Sequence, residues 1–284
     1  MYVSMKEMLE KAHRENYGVM AINCFNLETA RTVINAAEEL KAPIIVNIVE
    51  EHLVKHAPSD LIAPMVKTLA NKASVPVALN LDHGKDQHLV FKAIEDGFSS
   101  IMYDGSDFDF EKNIAETKKV VSYAHQRGIS VEAELGSLGG TEGENYTENA
   151  MKTDPDEAKR FVESTGIDAL AISYGSSHGD YPEGMVPEFD FERLKEIKEK
   201  VDIPLVLHGG SGSGEENILK SVQHGINKIN VGCDFMNANR DSALKILKEN
   251  PDINFFYLMH QVEKDSAQVI KDYIELSGSK GKAL

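Results

Sequence analysis

The sequence predicts an α/β fold in which eight parallel strands, each followed by a helix, close into a (β/α)8 or TIM barrel with extra helices at both ends. Short apolar runs alternate with helical patterns in units of about 25 to 35 residues, the crossover spacing that parallel neighbours require. Three of the runs end in a His-Gly pair: 75–82 leads into His83-Gly84, 170–177 into His178-Gly179 and 203–207 into His208-Gly209. Helical patterns stop at Gly97, Gly128, Gly166 and Gly225 just before the next strand, as helices with glycine C-caps do.

Taken in order, 2–14 is an amphipathic helix placed to plug the barrel bottom. Strand 18–24 is apolar but for Asn23, as suits a strand covered on both faces, and Asn26 is the N-cap of helix 27–40. Strand 43–49 and helix 60–72 follow, then strand 75–82 with helix 86–95, strand 99–104 with helix 110–127, and strand 130–135. After that fifth strand, 136–153 (GSLGGTEGENYTENAMKT) is the one long irregular stretch, which its position turns into a lid over the active face. Helix 154–164, strand 167–174, helix 190–200, strand 203–208, helix 214–224, strand 226–231 and helix 235–248 complete the alternation. A further amphipathic helix spans 262–278, and the whole of 1–284 reads as one barrel domain.

The composition is that of a soluble enzyme with a large core, 42% hydrophobic and 27% charged. A formal net charge of -16, spread over helix patterns, argues against nucleic acid or an anionic membrane as partner. An anionic substrate then needs local basic groups, backbone N–H donors or a metal. The first residues lack the apolar stretch and cleavage site of a signal peptide, and no run approaches the about 18 apolar residues of a membrane span. Cys24 and Cys233 fit a reducing cytoplasm and, ending the first and last strands, are expected to lie together near the barrel mouth.

Strand C-terminal ends share one face of such a barrel, so His83, His178 and His208 converge there, and three neutral imidazoles make a zinc site with one open position. Asp82 either moves a proton at a metal-bound substrate or orients an imidazole. Asp104, ending the fourth strand, and Glu134, on the fifth beside Glu132, form a second cation site or support the histidines. Gly209, Gly210 and Ser211 after strand seven, with Asn230, Val231, Gly232 and Cys233 ending strand eight, occupy the recurrent phosphate position of this barrel class. Asn23, at the end of strand one, is placed to contact substrate.

As a set, INCFNLET, LDHGK, the DGS of strand four, VEAELGSLGG, YGSSHG, VLHGGSG, KINVG and the closing GSKGKA resemble the class II, metal-dependent ketose-bisphosphate aldolases over nearly the whole chain. The resemblance implies reversible aldol cleavage of a phosphorylated ketose to dihydroxyacetone phosphate and an aldehyde, through an enediolate stabilised by a catalytic Zn2+. It places that zinc on His83, His178 and His208, makes Asp82 the acid/base, and assigns a second divalent position to Asp104 and Glu134. It further implies that Glu142 in the mobile loop moves the enediolate proton. The phosphate rests on Gly179, Gly209, Ser211, Asn230 and Cys233, the last usually Thr or Ser, near a monovalent Na+ or K+ in some members. Family members are homodimers or homotetramers.

The chain departs from the family pattern at the distal end of the substrate. Many members carry a Ser- or Thr-containing, Gly-rich stretch at the end of strand two, where this chain has Glu50-Glu51-His52, and His260 stands where Arg or Lys is common. Two unpaired carboxylates would disfavour a distal phosphate, so the expected substrate is a ketose 1-phosphate with a non-phosphorylated end; fructose or tagatose 1,6-bisphosphate is the alternative. A Schiff-base aldolase needs a lysine in an inner strand, but 167–174 has none and Lys85 and Lys228 lack the surrounding pattern. A metal-dependent hydrolase and a non-catalytic sugar-phosphate sensor are the remoter readings.

Overall fold

The computed structural model describes residues 1–136, 152–177, 179, 181–182 and 184–283. Its strands close into a barrel in sequence order: β1 (Val19–Asn23), β2 (Ile44–Val49), β3 (Val77–Gly84), β4 (Ser100–Tyr103), β5 (Ser130–Leu135), β6 (Ala169–Ile172), β7 (Leu205–Leu207) and β8 (Ile226–Val231). All pairs are parallel, and β8 returns to β1 with Ile229 opposite Met20. Each strand lies within the predicted run except β3, which continues two residues further, because apolar runs covered by helices outside and by the interior inside have one solution in this topology.

Between the strands run α2 (Leu27–Glu39), α3 (Glu50–Lys55), α4 (Ser59–Lys72), α5 (Gln87–Asp96), α6 (Phe110–His125), α7 (Pro155–Thr165), α8 (Phe191–Lys200), α9 (Glu215–Gln223) and α10 (Cys233–Glu249). Gly97 and Gly166 are left-handed C-caps, and Asn26 closes a capping box with Thr29. Helix α3 is a difference from the sequence expectation: β2 passes directly into it, with Glu50 and Glu51 in its first turn and Lys55 in its last, charges that suit the helix dipole. The last helix, α11 (Phe255–Leu276), begins seven residues earlier than expected, packs on α10 and α2, and is tied to Arg31 by a two-pronged Glu263 contact at 2.9 and 2.6 Å. No helix among the described residues is long and apolar enough to cross a membrane.

The interior is layered. Helix α1 (Met5–Glu15) seals the bottom, where Met5, Leu9 and Ala12 meet inward Ala21, Ile45, Ala78, Ala169, Ala171 and Val206. A serine relay seats it, Ser4 Oγ donating to Ser130 Oγ and Ser130 to Ser100 Oγ, each at 2.9 Å. Above that floor the inward positions become polar. Asn80 donates to Asn47 at 3.0 Å, and Glu132 on β5 faces Lys228 on β8 at 2.7 Å with both side chains fully buried. The top layer holds the predicted site.

Removing one partner of a buried ion pair strands the other charge away from water. Lys228→Met, which keeps the volume, is therefore expected to destabilise the protein by about 3–5 kcal/mol in denaturant titrations. A loss below about 0.5 kcal/mol would show the pair to be dispensable.

Candidate active site

Strand alternation alone would send Asp82 and His83 to opposite faces. Instead β3 carries one residue more than β4 between the pairs Leu81↔Ile101 and Gly84↔Tyr103, and His83 takes a left-handed φ of 47°. The bulge turns both side chains toward the site. Gly84 closes it because a Cβ there would lie 2.9 Å from the Met102 carbonyl oxygen.

Asp82 is fully buried, and the Asn230 amide donates to both of its oxygens at 3.0 and 3.2 Å. His83 Nδ1 lies 3.1 Å from Asp104 Oδ2, while its ring meets His208 edge to face with centroids 4.7 Å apart. His208 Nε2 sits 2.9 Å from Glu132 Oε1, so the carboxylate accepts the Nε2 hydrogen and the Nδ1 lone pair turns toward Glu134 Oε2 at 3.5 Å. Donor atoms of Asp82, His83 and His208 all fall within 4.8 Å of one another, as do those of His83, Asp104 and Glu134. His83 belongs to both groups, so two cation positions would share it.

The electrostatics agree with a cation there. Burial, reinforced by the charge of Asp104, pushes the Glu134 carboxyl up to about 8. Burial also acts to raise Asp104, but hydrogen bonds from His83 and Ser106 outweigh it and hold that carboxyl well below the usual range. His208 is driven far down by burial and by the neighbouring His83, which keeps it neutral. Two imidazoles and three enclosed carboxylates form a donor set that fits a divalent ion.

The loops expected to hold the phosphate meet at the start of α10. Ser211 Oγ accepts from the backbone N–H of Gly232 and of Asp234, both at 3.2 Å, joining the loop after β7 to the helix N-terminus. Gly209 has φ +66°, and a Cβ on it would stand 2.2 Å from the Ser177 carbonyl oxygen, so no other residue fits. A cavity of about 460 Å³ is lined by Asn23, Gly179, Gly209, Ser211, Asn230, Gly232 and Cys233, bringing most of the expected contacts together.

Several expectations are corrected. Gly210 and Val231 do not line the cavity: Gly210 packs against the Asn230 carbonyl and Val231 lies in the outer core. Glu50 turns away, its carboxylate accepting from the backbone N–H of Lys85 and Asp86 at 2.7 and 3.0 Å. Glu51 reaches the cavity but is paired with Lys55 at 2.5 Å. His260 stands exposed on α11, stacked on Phe256 and away from the cavity. Of the two cysteines only Cys233 reaches the cavity; Cys24 is fully buried, its thiol pushed up by that burial. His178 and Glu142, with the rest of 137–151, lie outside the described residues.

The sequence reading also missed residues. Val49 at the end of β2, His52 and Lys55 on α3, His56 at its C-cap, and Met236, Asn237 and Arg240 on α10 complete the lining. Their signal was helical spacing, since 233, 236, 237 and 240 share one face. The Glu132 and Lys228 pair had an equally plain signal: each stands two residues from a site residue, Glu134 and Asn230, on the same face of its strand.

Comparison with known proteins agrees with this geometry. The model of the family described as fructose-bisphosphate aldolase class-II matches residues 3–282. A fructose-bisphosphate aldolase of Thermus caldophilus is 39% identical over 307 residues, covering 100% of both chains. A sulfofructosephosphate aldolase of Alkalicoccus urumqiensis is 36% identical over 287 residues, 99% of this chain and 98% of that one. The crystal structure of the YdjI aldolase from Escherichia coli K12 superposes with a TM-score of 0.87 at 35% identity, covering 100% of both chains. Matched almost end to end in sequence and in barrel, the chain belongs to the class-II fructose-bisphosphate aldolase family.

Proposed function

We propose that this aldolase cleaves a phosphorylated ketose reversibly between C3 and C4, giving dihydroxyacetone phosphate and an aldehyde, with a zinc ion held by His83, His208 and His178. The observation that carries the reading is the convergence of Asp82, His83 and His208 beside an anion-binding helix N-terminus. When bound, the ion supplies Lewis-acid polarisation of the substrate carbonyl. A second ion would take His83, Asp104 and Glu134.

The protein groups divide the remaining work. The backbone N–H groups of the loops around Gly209 and Gly232, with the positive end of α10, hold the phosphate. Asn230 fixes the Asp82 carboxylate with both oxygens engaged, so Asp82 is aimed to take the C4 hydroxyl proton while the C3–C4 electron pair stays on C3. Glu142 returns a proton to that carbon. Lysine chemistry is disfavoured, since Lys228 is fully buried and ion-paired to Glu132.

The distal end reads differently in the structure than in the sequence. The case for a neutral end rested on two unpaired glutamates, yet Glu50 is spent on backbone N–H groups and Glu51 is balanced by Lys55. Arg240 lines the same cavity, its guanidinium paired with the neighbouring Asp241 at 2.9 Å. The charge objection to a distal phosphate is thereby removed, and we take fructose or tagatose 1,6-bisphosphate as the substrate class over a ketose 1-phosphate with a neutral end.

Exhaustive chelation is expected to abolish turnover and zinc to restore it, while borohydride traps no substrate adduct; full activity after chelation, or a reduced lysine adduct, contradicts the reading. Asp82→Ala should lower kcat by roughly 10²–10⁴ and Asn230→Ala by about tenfold, with zinc content unchanged. Zinc lost from Asp82→Ala would place that carboxylate among the ligands instead. Arg240→Ala should reduce kcat/KM for fructose 1,6-bisphosphate by about three- to tenfold more than for fructose 1-phosphate, an exposed charge being worth little more. An equal effect on both substrates would remove Arg240 from the distal site.

A further inference from the structure

We infer that His52 is a specificity-determining residue that accepts a hydrogen bond from a hydroxyl on the aldehyde half of the substrate, on the carbon next to the carbonyl. The inference rests on the aldolase reading above and deepens it. His52 lies in the first turn of α3 and lines the same cavity as Asn230 and the phosphate loops. Its Nδ1 stands 3.1 Å from the Cys24 carbonyl oxygen. A carbonyl only accepts, so the ring hydrogen resides on Nδ1, and the nitrogen left for the cavity, Nε2, is an acceptor. Phe25 holds the ring edge to face at 5.6 Å, which limits its rotation. Burial keeps the imidazole on the neutral side of its ordinary range, so the acceptor character persists at neutral pH.

An acceptor-only nitrogen repels phosphate, carboxylate and carbonyl oxygens and attracts O–H. The strand register says which O–H it meets. Val49, the last residue of β2 and itself in the cavity lining, is the direct partner of Asp82. Asp82 serves the C4 hydroxyl, and His52 follows Val49 by three residues, one step further toward the mouth. The phosphate end is anchored across the cavity at β7 and β8, so the chain of substrate carbons runs from there past Asp82 to His52. The next hydroxyl outward is that on C5. A phosphate at C6 then lies beyond His52, toward Lys55 and Arg240.

The test is condensation of dihydroxyacetone phosphate, by the zinc-loaded enzyme, with each glyceraldehyde enantiomer and with 3-hydroxypropanal, which lacks only the hydroxyl in question. Wild type should favour one glyceraldehyde enantiomer over 3-hydroxypropanal by roughly tenfold or more in kcat/KM, the worth of one good hydrogen bond. In both His52→Phe and His52→Ala that ratio should collapse to within about twofold, with the larger loss on the glyceraldehyde side, while His52→Gln, which still presents an acceptor, keeps part of it. Solvent exchange of the C3 proton of dihydroxyacetone phosphate is followed in parallel and shows which variants are folded and loaded. No exchange by wild type overturns the aldolase reading and the inference with it. Exchange together with a preference that survives in His52→Phe and His52→Ala overturns the role of His52 alone.

Discussion

The barrel interior is organised around one buried ion pair, Glu132 with Lys228. Either charge alone would carry a desolvation penalty of several kcal/mol, so neither is tolerable in this interior without the other. Together they bridge β5 and β8 through the middle of the barrel, between the apolar floor sealed by α1 and the polar mouth. Glu132 spends its second oxygen on His208 Nε2, which decides the tautomer of that ring and hence which nitrogen meets the site. Glu134 inherits its inward position from the same alternation. The mouth is built on a charge arrangement one layer below it.

A second constraint is local strain at His83. A non-glycine residue with positive φ costs of order 1–3 kcal/mol and persists only where its surroundings over-determine it. Here the extra residue in β3, the absence of room for a side chain at Gly84, and the Asp104 contact to Nδ1 all hold the turn. The result is that two consecutive residues, one acidic and one basic, both serve a site that a regular strand would have let only one of them reach. Rigid placement of this kind is what differential stabilisation of a transition state requires.

Much of the fold was legible because its signals are local. Apolar runs covered on both faces, helical periodicity between them and glycines at helix ends are read one segment at a time, and every strand was found from them. Two of the His-Gly pairs, at His83 and His208, are brought together at the strand ends as that local reading expects. What escaped depends on where a side chain goes after its backbone is placed. Glu50 and Glu51 looked like twin charges at the mouth until α3 sent one to backbone N–H groups and the other to Lys55. His260 carried the expected chemistry in the wrong place, since α11 begins earlier than its apolar pattern implied and leaves that residue outside. Lys228 was weighed only as a nucleophile: strand alternation turns it and Glu132 inward, but their pairing across 96 positions is set by the closed barrel.

The Asp82 to Asn230 contact joins residues 148 positions apart, one on the third strand and one on the last. Contacts of such sequence separation form late, because loop closure is unfavourable until the intervening chain has ordered. The Asp82 carboxylate thus lacks its Asn230 donor until β8 docks between β7 and β1. His83 and Glu134, by contrast, lie on β3 and β5 and Asp104 directly follows β4, three adjacent strands that meet without waiting for the ring to close. The order of assembly therefore lets His83, Asp104 and Glu134 meet before the Asp82 to Asn230 contact closes.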